Sequence, residues 1–257
     1  MSDGRSAAVT RGVALLGLRG LLSDPVKIFP PMLVPLFFFA AFQGSLSGIG
    51  STRGFGYYSY TAFQFVFILF MAAMFIGVFS AFDIAADYES GMGNRLMAAS
   101  PRRGAIILGY LIVAAGRCVV ALAVVWLVGV IIDMPVRGSP LDIAGLIALA
   151  LLLNVATTLY GAGIALRFQS VAAGTLVLIP AFMLLFLTPV FTTRDQLTEW
   201  VKKVASYNPL TAAIEAGRGF MANDPVSVAL AFAVMGGLVV LFGIWAVLSM
   251  RKAERGS

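Results

Sequence analysis

The chain has 257 residues, of which 60% are hydrophobic and only 12% are charged, and its formal net charge is +6. A soluble domain carries about 25% charged residues, so this composition excludes an ordinary soluble domain and is typical of a membrane protein. Histidine is absent and Cys118 is the single cysteine, which excludes intrachain disulfides and argues against metal clusters and histidine-based catalysis. The basic residues flank apolar runs, which favours membrane topology over nucleic-acid binding.

Six apolar runs are long enough to be membrane-spanning helices, since a hydrocarbon core about 30 Å thick requires ~20 residues. They cover residues 26–43, 61–82, 105–132, 141–166, 171–191 and 226–250. Pro30, Pro31 and Pro35 make the first run the least regular, and Pro35 is expected to bend it. The sequence therefore predicts an all-α polytopic protein with six transmembrane helices in a single domain, residues 1–257.

Two further segments are too polar to span a membrane yet show helical spacing. Residues 7–22, with Arg5, Arg11 and Arg19 on one broad side, predict an amphipathic helix on the inner membrane surface, and the start shows no cleavable signal peptide. Residues 194–222 predict two short helices at the outer interface, separated by a break at Asn208 and Pro209.

The distribution of lysine and arginine predicts the orientation. With the N-terminus inside, eleven basic residues lie on the inner side and six on the outer side. The inner set is Arg5, Arg11, Arg19, Lys27, Arg95, Arg102, Arg103, Arg167, Arg251, Lys252 and Arg255, and the outer set is Arg53, Arg137, Arg194, Lys202, Lys203 and Arg218. This excess places both termini in the cytoplasm, with the chain in the plasma (inner) membrane.

A charged segment, AFDIAADYESGMGNRLMAASPRRGAIILGY, begins at Ala81 between the second and third runs. Glycines and a Ser-Pro pair frame a short helix over residues 94–99, with acids before it and arginines after it. A well-capped cytoplasmic loop would show the same order, because acids favour the start of a helix and bases its end. Spacing alone leaves a structural and a functional interpretation open.

Two motifs carry a resemblance to a known family. The stretch DYESGMGNRLMAASPRRGAIILGY resembles the segment after the second span of ABC-2 type transporter permeases, where E-x-E-x-G-T and R-L-x-x-x-P lead into the third span. Asn208, Pro209, Leu210, Thr211, Glu215 and Arg218 resemble that family's N-P-L-T-x-x-x-E-x-x-R stretch before the last span. The order of elements agrees along the chain, whereas Tyr88 and Met92 depart from the pattern.

The resemblance implies the membrane subunit of an ATP-binding cassette exporter of the drug and antibiotic resistance branch. Two permease subunits, identical or different, would pair, and each would rest on a cytoplasmic ATPase. Residues 87–99 would be its coupling helix, with contact residues Asp87, Glu89, Gly91, Arg95, Leu96 and Met97. ATP and Mg²⁺ would bind that partner, because no G-x-x-x-x-G-K-[ST] phosphate loop occurs in this chain. No cofactor, metal or catalytic residue is expected in the chain itself.

The outer segment is predicted to form a gate built from Asn208, Pro209, Leu210, Glu215 and Arg218. Glu215 and Arg218 are three residues apart, so an exposed pair on one helix face is expected.

Candidate pathway residues are Arg117, Gln64, Phe38, Phe67 and Asn154. At about 1.5 Å per residue, Arg117 lies ~20 Å along its helix from Arg103, near the middle of the bilayer. An ionisable residue there indicates a pathway or a partner; satisfaction by backbone carbonyls, by Asn154 or by a neighbouring subunit is the alternative.

The predicted function is outward transport of an amphipathic or hydrophobic compound, powered by a separate ATPase. Export of a lipid or lipid-linked glycan is the alternative within the family, and a secondary transporter or a membrane scaffold is the alternative outside it. A secondary carrier is expected to have a midspan carboxylate, and none of the six runs shows one.

Overall fold

The computed structural model describes residues 10–15, 17, 19–20, 29–46, 48, 50, 55–99 and 104–255. Within these residues the structure is helical, without strands. From Phe29 onward, the described residues form the helices α1 (Phe29–Leu46), α2 (Tyr60–Glu89), α3 (Met92–Ala99), α4 (Gly104–Ile131), α5 (Pro140–Phe168), α6 (Thr175–Phe186), α7 (Glu199–Tyr207), α8 (Pro209–Ala222) and α9 (Val228–Arg255). The protein is an all-α polytopic membrane protein, as predicted.

Within the part of the chain that the structure describes, five helices are long and apolar enough to cross a membrane: α1, α2, α4, α5 and α9. The sixth predicted span, residues 171–191, contains a shorter apolar segment: a 3₁₀ turn at Val171–Gly174 followed by the 12-residue α6. Together these reach about 26 Å, just short of a 30 Å hydrocarbon core. Regular helix ends at Phe186, and Pro189 follows in an irregular stretch over residues 187–193.

The helix α2 forms the core of the bundle. In its most apolar window 89% of the residues are buried, against 11% in α9. Gly77 allows α5 to approach closely, since a Cβ there would collide with Thr157 and lie 2.9 Å from the carbonyl oxygen of Asn154. On the other side of α5, Gly163 makes room for the indole of Trp245 in α9. Small residues at helix contacts therefore bring α2, α5 and α9 together.

The acidic half of the charged segment is helical, which corrects the predicted boundary. α2 continues seven residues past the predicted end at Phe82 and finishes at Glu89, so Asp83 and Asp87 lie on one helix and not in a loop. A turn at Ser90 and Gly91 (φ 80°) separates α2 from α3, because glycine tolerates the left-handed backbone. The predicted coupling helix over residues 87–99 is thus two elements.

The N-terminal segment packs along α4. Residues 10–15 are helical, and the Thr10 hydroxyl donates to the carbonyl oxygen of Ala105 at 2.9 Å. A Cβ at Gly109 would collide with Val13, and a Cβ at Gly17 would collide with Val113, so the two helices run side by side in the same direction. Arg11 and Arg19 are exposed, in agreement with the predicted polar side, whereas Arg5 lies outside the described residues.

Candidate functional site

The two predicted functional segments lie at opposite ends of α2. The α3 end of the bundle holds the C-terminal turns of α2, the helix α3 and the start of α4. The α8 end holds residues 55–59, the helices α7 and α8 and the stretch between α6 and α7. About 45 Å separates them, at 1.5 Å per residue along the 30 residues of α2.

At the α3 end, both coupling acids bond to other parts of the chain. Asp87 is half-buried and accepts a 2.7 Å hydrogen bond from the hydroxyl of Tyr110 in α4. Glu89 is exposed and accepts a 2.8 Å hydrogen bond from the backbone N–H of Val171, at the start of the 3₁₀ turn that precedes α6. These carboxylates connect α2 to α4 and to α6, an internal role that the sequence prediction lacked.

The helix α3 is held against the end of α2. Gly93 is buried against the ring of Tyr88, where a Cβ would lie about 2.5 Å from the ring carbons. Leu96 and Met97, predicted to contact the ATPase, are half-buried and pack on this chain's own core. The side chain of Arg95 is exposed, and no ion pair with it occurs within the described residues. Among the side chains of α3 that the structure describes, those of Met92, Arg95 and Ala98 are exposed.

Arg117 pairs with Asp83, a partner that was not among the predicted alternatives. The guanidinium Nη1 donates to the Asp83 carboxylate on α2. Arg117, the fourteenth of 28 residues in α4, thus directs its guanidinium towards the C-terminal turns of α2. The signal in the sequence was the i, i+4 spacing of Asp83 and Asp87, which puts both acids on one face of a helix that continues past Phe82.

Three of the other candidate pathway residues are enclosed within the protomer. Gln64, Phe67 and Asn154 are all about 0% exposed. Asn154 donates to the carbonyl oxygen of Ala73 at 2.9 Å, so it joins α5 to α2 and does not contact Arg117. Phe38 is half-buried, and its ring lies 5.6 Å from the ring of Phe186 in α6.

The predicted break between two short helices is confirmed at the α8 end. Asn208 has an extended backbone (φ −75°, ψ 120°), ends α7 and caps α8 by accepting from the N–H of Leu210 at 3.0 Å. Its amide donates to the carbonyl oxygen of Leu184 in α6 at 2.5 Å. Pro209 occupies the first helical position, where a missing N–H costs no hydrogen bond. The break is thereby fixed to α6.

Arg218 is buried among backbone carbonyl groups, with only 5% of its surface exposed. It donates to the oxygens of Phe63 (3.3 Å), Pro189 (2.7 Å) and Val190 (3.3 Å). Its guanidinium also lies 3.3 Å from the centroid of the Phe63 ring, within cation–π range. Burial lowers the pKa of Arg218 from its ordinary value. One side chain therefore joins α8 to α2 and to the stretch after α6.

The predicted Glu215–Arg218 pair is wrong. Glu215 pairs with Arg194, at 2.8 Å from Nη2 to Oε2, because Arg218 turns inwards to the carbonyl groups. Burial raises the pKa of Glu215, and the charge of Arg194 opposes that rise. The Glu215 ion pair connects α8 to the 3₁₀ turn before α7.

Two tyrosines that the sequence did not single out complete the α8 end. The Tyr57 hydroxyl donates to the carbonyl oxygen of Arg218 at 2.7 Å, and the Tyr58 hydroxyl donates to that of Met221 at 2.8 Å. Burial raises the pKa of both phenols, so they remain protonated donors at neutral pH. Together with Arg194, Glu215 and Arg218 they line a cavity of about 570 Å³.

The comparisons with known proteins agree with this arrangement. The family model described as ABC-2 type transporter matches residues 14–222, most of the chain. The chain is also 24% identical over 233 residues to the daunorubicin resistance ABC transporter permease protein DrrB1 of Streptomyces coeruleorubidus, covering 88% of this chain and 79% of that protein. Since this family model covers more than half of the chain, the chain belongs to the ABC-2 type transporter family.

Proposed function

We propose that this chain is the permease subunit of an ABC exporter that moves an amphipathic or hydrophobic, drug-like compound out of the cytoplasm. The family membership and the drug-resistance name of the relative in Streptomyces coeruleorubidus support this proposal. ATP hydrolysis is assigned to a separate ATPase subunit, and the active transporter contains two permease subunits.

The observation that carries the proposal is the helix α3. It is eight residues long, and its inner face is fixed on α2 by Gly93 and Tyr88. Of its described side chains, those of Arg95 and Ala98 are exposed to the medium, and that of Met92 is exposed at the edge of a cavity. A short, anchored helix with one exposed charge and apolar neighbours suits a groove in a partner protein, because complementary charge steers and orients docking. The excess of basic residues supports a cytoplasmic position for this end of the bundle, on the side where ATP is available.

The α8 end is assigned to the outer side, where the helices α7 and α8 close the pathway between pumping cycles. The Asn208 amide fixes the break to α6, and Arg218 fixes α8 to the stretch that follows α6. A displacement of α6 would therefore be transmitted directly to the closing segment. Its predicted residues Asn208, Pro209 and Leu210 are half-buried or buried, so the gate is a packed contact and not an exposed hairpin.

Co-purification with a candidate ABC ATPase subunit, followed by substrate-stimulated ATP hydrolysis, tests this function. Arg95→Glu should weaken binding of the ATPase at least tenfold, because like charges at an interface cost several kcal/mol. Lys203→Glu is the matched control, since Lys203 is an exposed cation on α7, at the α8 end of the bundle and away from α3. A transporter in which Arg95→Glu binds the ATPase as tightly as Lys203→Glu would contradict docking through α3.

A further inference from the structure

A cavity of about 320 Å³ lies at the α3 end, between the N-terminal segment and helices α2, α3 and α4. One wall carries Asp83 and Asp87, one turn apart on α2. The facing wall carries Tyr110 and Arg117 on α4. Its volume falls within the range of about 300–1,000 Å³ that is usual for pockets holding drug-sized molecules.

The charges of the side chains that line this cavity do not cancel. Among the described residues that line it there are two carboxylates and one guanidinium, so the lining has a net negative charge. Arg117 is committed to one oxygen of Asp83 and is 18% exposed, while the Asp83 side chain remains 54% exposed. Asp87 accepts from Tyr110 through one oxygen only. The second oxygen of each carboxylate accepts no hydrogen bond from the described residues, so it can accept one from a ligand.

Apart from Ser80, the remaining lining is apolar. The apolar side chains come from three parts of the chain: Val13 from the N-terminal segment, Val113 from α4, and Met92 and Leu96 from α3. They surround the charged groups. A site with a few convergent polar groups among apolar side chains favours a ligand that has one charged end and a hydrophobic body.

We propose that this cavity binds the cationic head of an amphipathic organic substrate, with Asp83 and Asp87 as acceptors and the apolar lining around the hydrophobic body. The proposal deepens the export function and rests on it, since it names the substrate class and its first site on this chain. The ion pair with Arg117 orients the Asp83 carboxylate, which makes Arg117 a positioning residue. An anionic head would face two carboxylates and find the guanidinium already paired, so the cavity discriminates against it.

The location gives the site a second consequence. Its lining includes Met92 and Leu96 of α3 as well as Asp83 and Asp87 of α2, so a bound molecule contacts the proposed docking helix directly. Occupancy would restrict the movement of α3 against α2. A substrate that binds here is therefore in a position to change the rate of ATP hydrolysis by the partner.

Binding of dyes to the purified full-length permease tests the proposal without ATP or the ATPase. The probes are rhodamine 6G, a cationic amphiphile, and fluorescein, an anion with a similar ring system, each followed by fluorescence anisotropy. We expect rhodamine 6G to bind at least tenfold more tightly than fluorescein. Asp83→Asn and Asp87→Asn should each weaken rhodamine binding about five- to tenfold, Asp83→Glu should retain it, and Glu199→Gln, an exposed acid on α7 at the other end, should leave it unchanged.

Leu96→Trp fills the cavity while keeping both carboxylates, and it should also weaken rhodamine binding. This variant therefore tests the site even if the asparagine variants do not fold. The site is overturned if rhodamine 6G binds as tightly as to the parent protein in folded Asp83→Asn, in folded Asp87→Asn or in Leu96→Trp. It is also overturned if fluorescein binds the parent protein as tightly as rhodamine 6G does. Dye export by reconstituted transporter is measured separately. Active export with unchanged binding in the variants removes the site but leaves the export function standing, whereas charge-dependent binding without export supports the site and contradicts the function.

Discussion

Gln64 and Arg218 donate hydrogen bonds to the same carbonyl oxygen, that of Val190, at 3.1 Å and 3.3 Å. Gln64 lies in the first turns of α2 and Arg218 in α8, while Val190 belongs to the stretch that follows α6. One carbonyl group thus joins three elements at the α8 end. Because Gln64 and Arg218 are both buried, breaking this junction would leave polar groups without partners, which is costly away from water.

Replacing Arg218 should destabilise the protein. Arg218→Ala removes the side-chain donor to the carbonyl groups of Phe63 and Pro189 and one of the two donors to that of Val190. We expect a loss of about 2–4 kcal/mol in the free energy of unfolding. Arg218→Lys should also destabilise, because one ammonium group does not reproduce the planar fork of a guanidinium. Thermal unfolding in detergent measures both. Arg137→Ala is the control, since that arginine is exposed and lies over the ring of Tyr58; equal effects of the alanine variants at 137 and 218 would contradict the junction.

Replacing Pro209 should affect transport more than stability. Proline at the first helical position restricts the unfolded chain, so Pro209→Ala should lower the free energy of unfolding by less than about 1 kcal/mol. The proposed gate depends on the fixed angle between α7 and α8, and we expect fewer molecules transported per ATP hydrolysed. Simultaneous measurement of both rates in reconstituted vesicles checks this. Unchanged transport per ATP in the variant would remove the break from the gating mechanism.

Removing the carboxylate of Glu89 should uncouple transport from ATP hydrolysis. Glu89 joins the end of α2 to the N–H of Val171, ahead of α6, and Glu89→Ala deletes this connection while leaving the exposed face of α3 intact. We expect the ATPase to bind normally and dye export to fall severalfold. Glu89→Gln retains an acceptor oxygen and should export more than Glu89→Ala. Loss of ATPase binding in both variants would instead make Glu89 part of the docking surface.

The orientation can be tested by chemical labelling in a background in which Cys118 is replaced by alanine. Ser206 on α7 and Ala98 on α3 are both exposed, at opposite ends of the bundle. A membrane-impermeant maleimide added to intact cells should label a cysteine at Ser206→Cys and not one at Ala98→Cys. Opening the cells should expose both. The reverse pattern would place α3 outside and would be incompatible with an ATPase docked there.

Local sequence patterns predicted the features that depend on neighbouring residues. The break at Asn208 and Pro209 is confirmed because a residue before proline avoids the helical region and proline fits a helix start. The predicted runs 105–132 and 141–166 agree closely with α4 and α5, since apolar length is set by the membrane alone. The run 171–191 fails in part, because Pro189 prevents the helix from continuing although the composition remains apolar.

By itself, the sequence determined that this is an all-helical membrane protein of the ABC-2 type, with a short helix after α2 and a fixed break before the last span. Only the tertiary structure decided the partners of its buried polar groups. Arg218 lies three residues from Glu215, yet it bonds to carbonyl groups of α2 and of the stretch after α6; Arg117 pairs with Asp83, 34 positions away. In a low-dielectric interior each charged group takes the partner that packing brings within reach, and that partner is set by how the helices cross and not by distance along the chain.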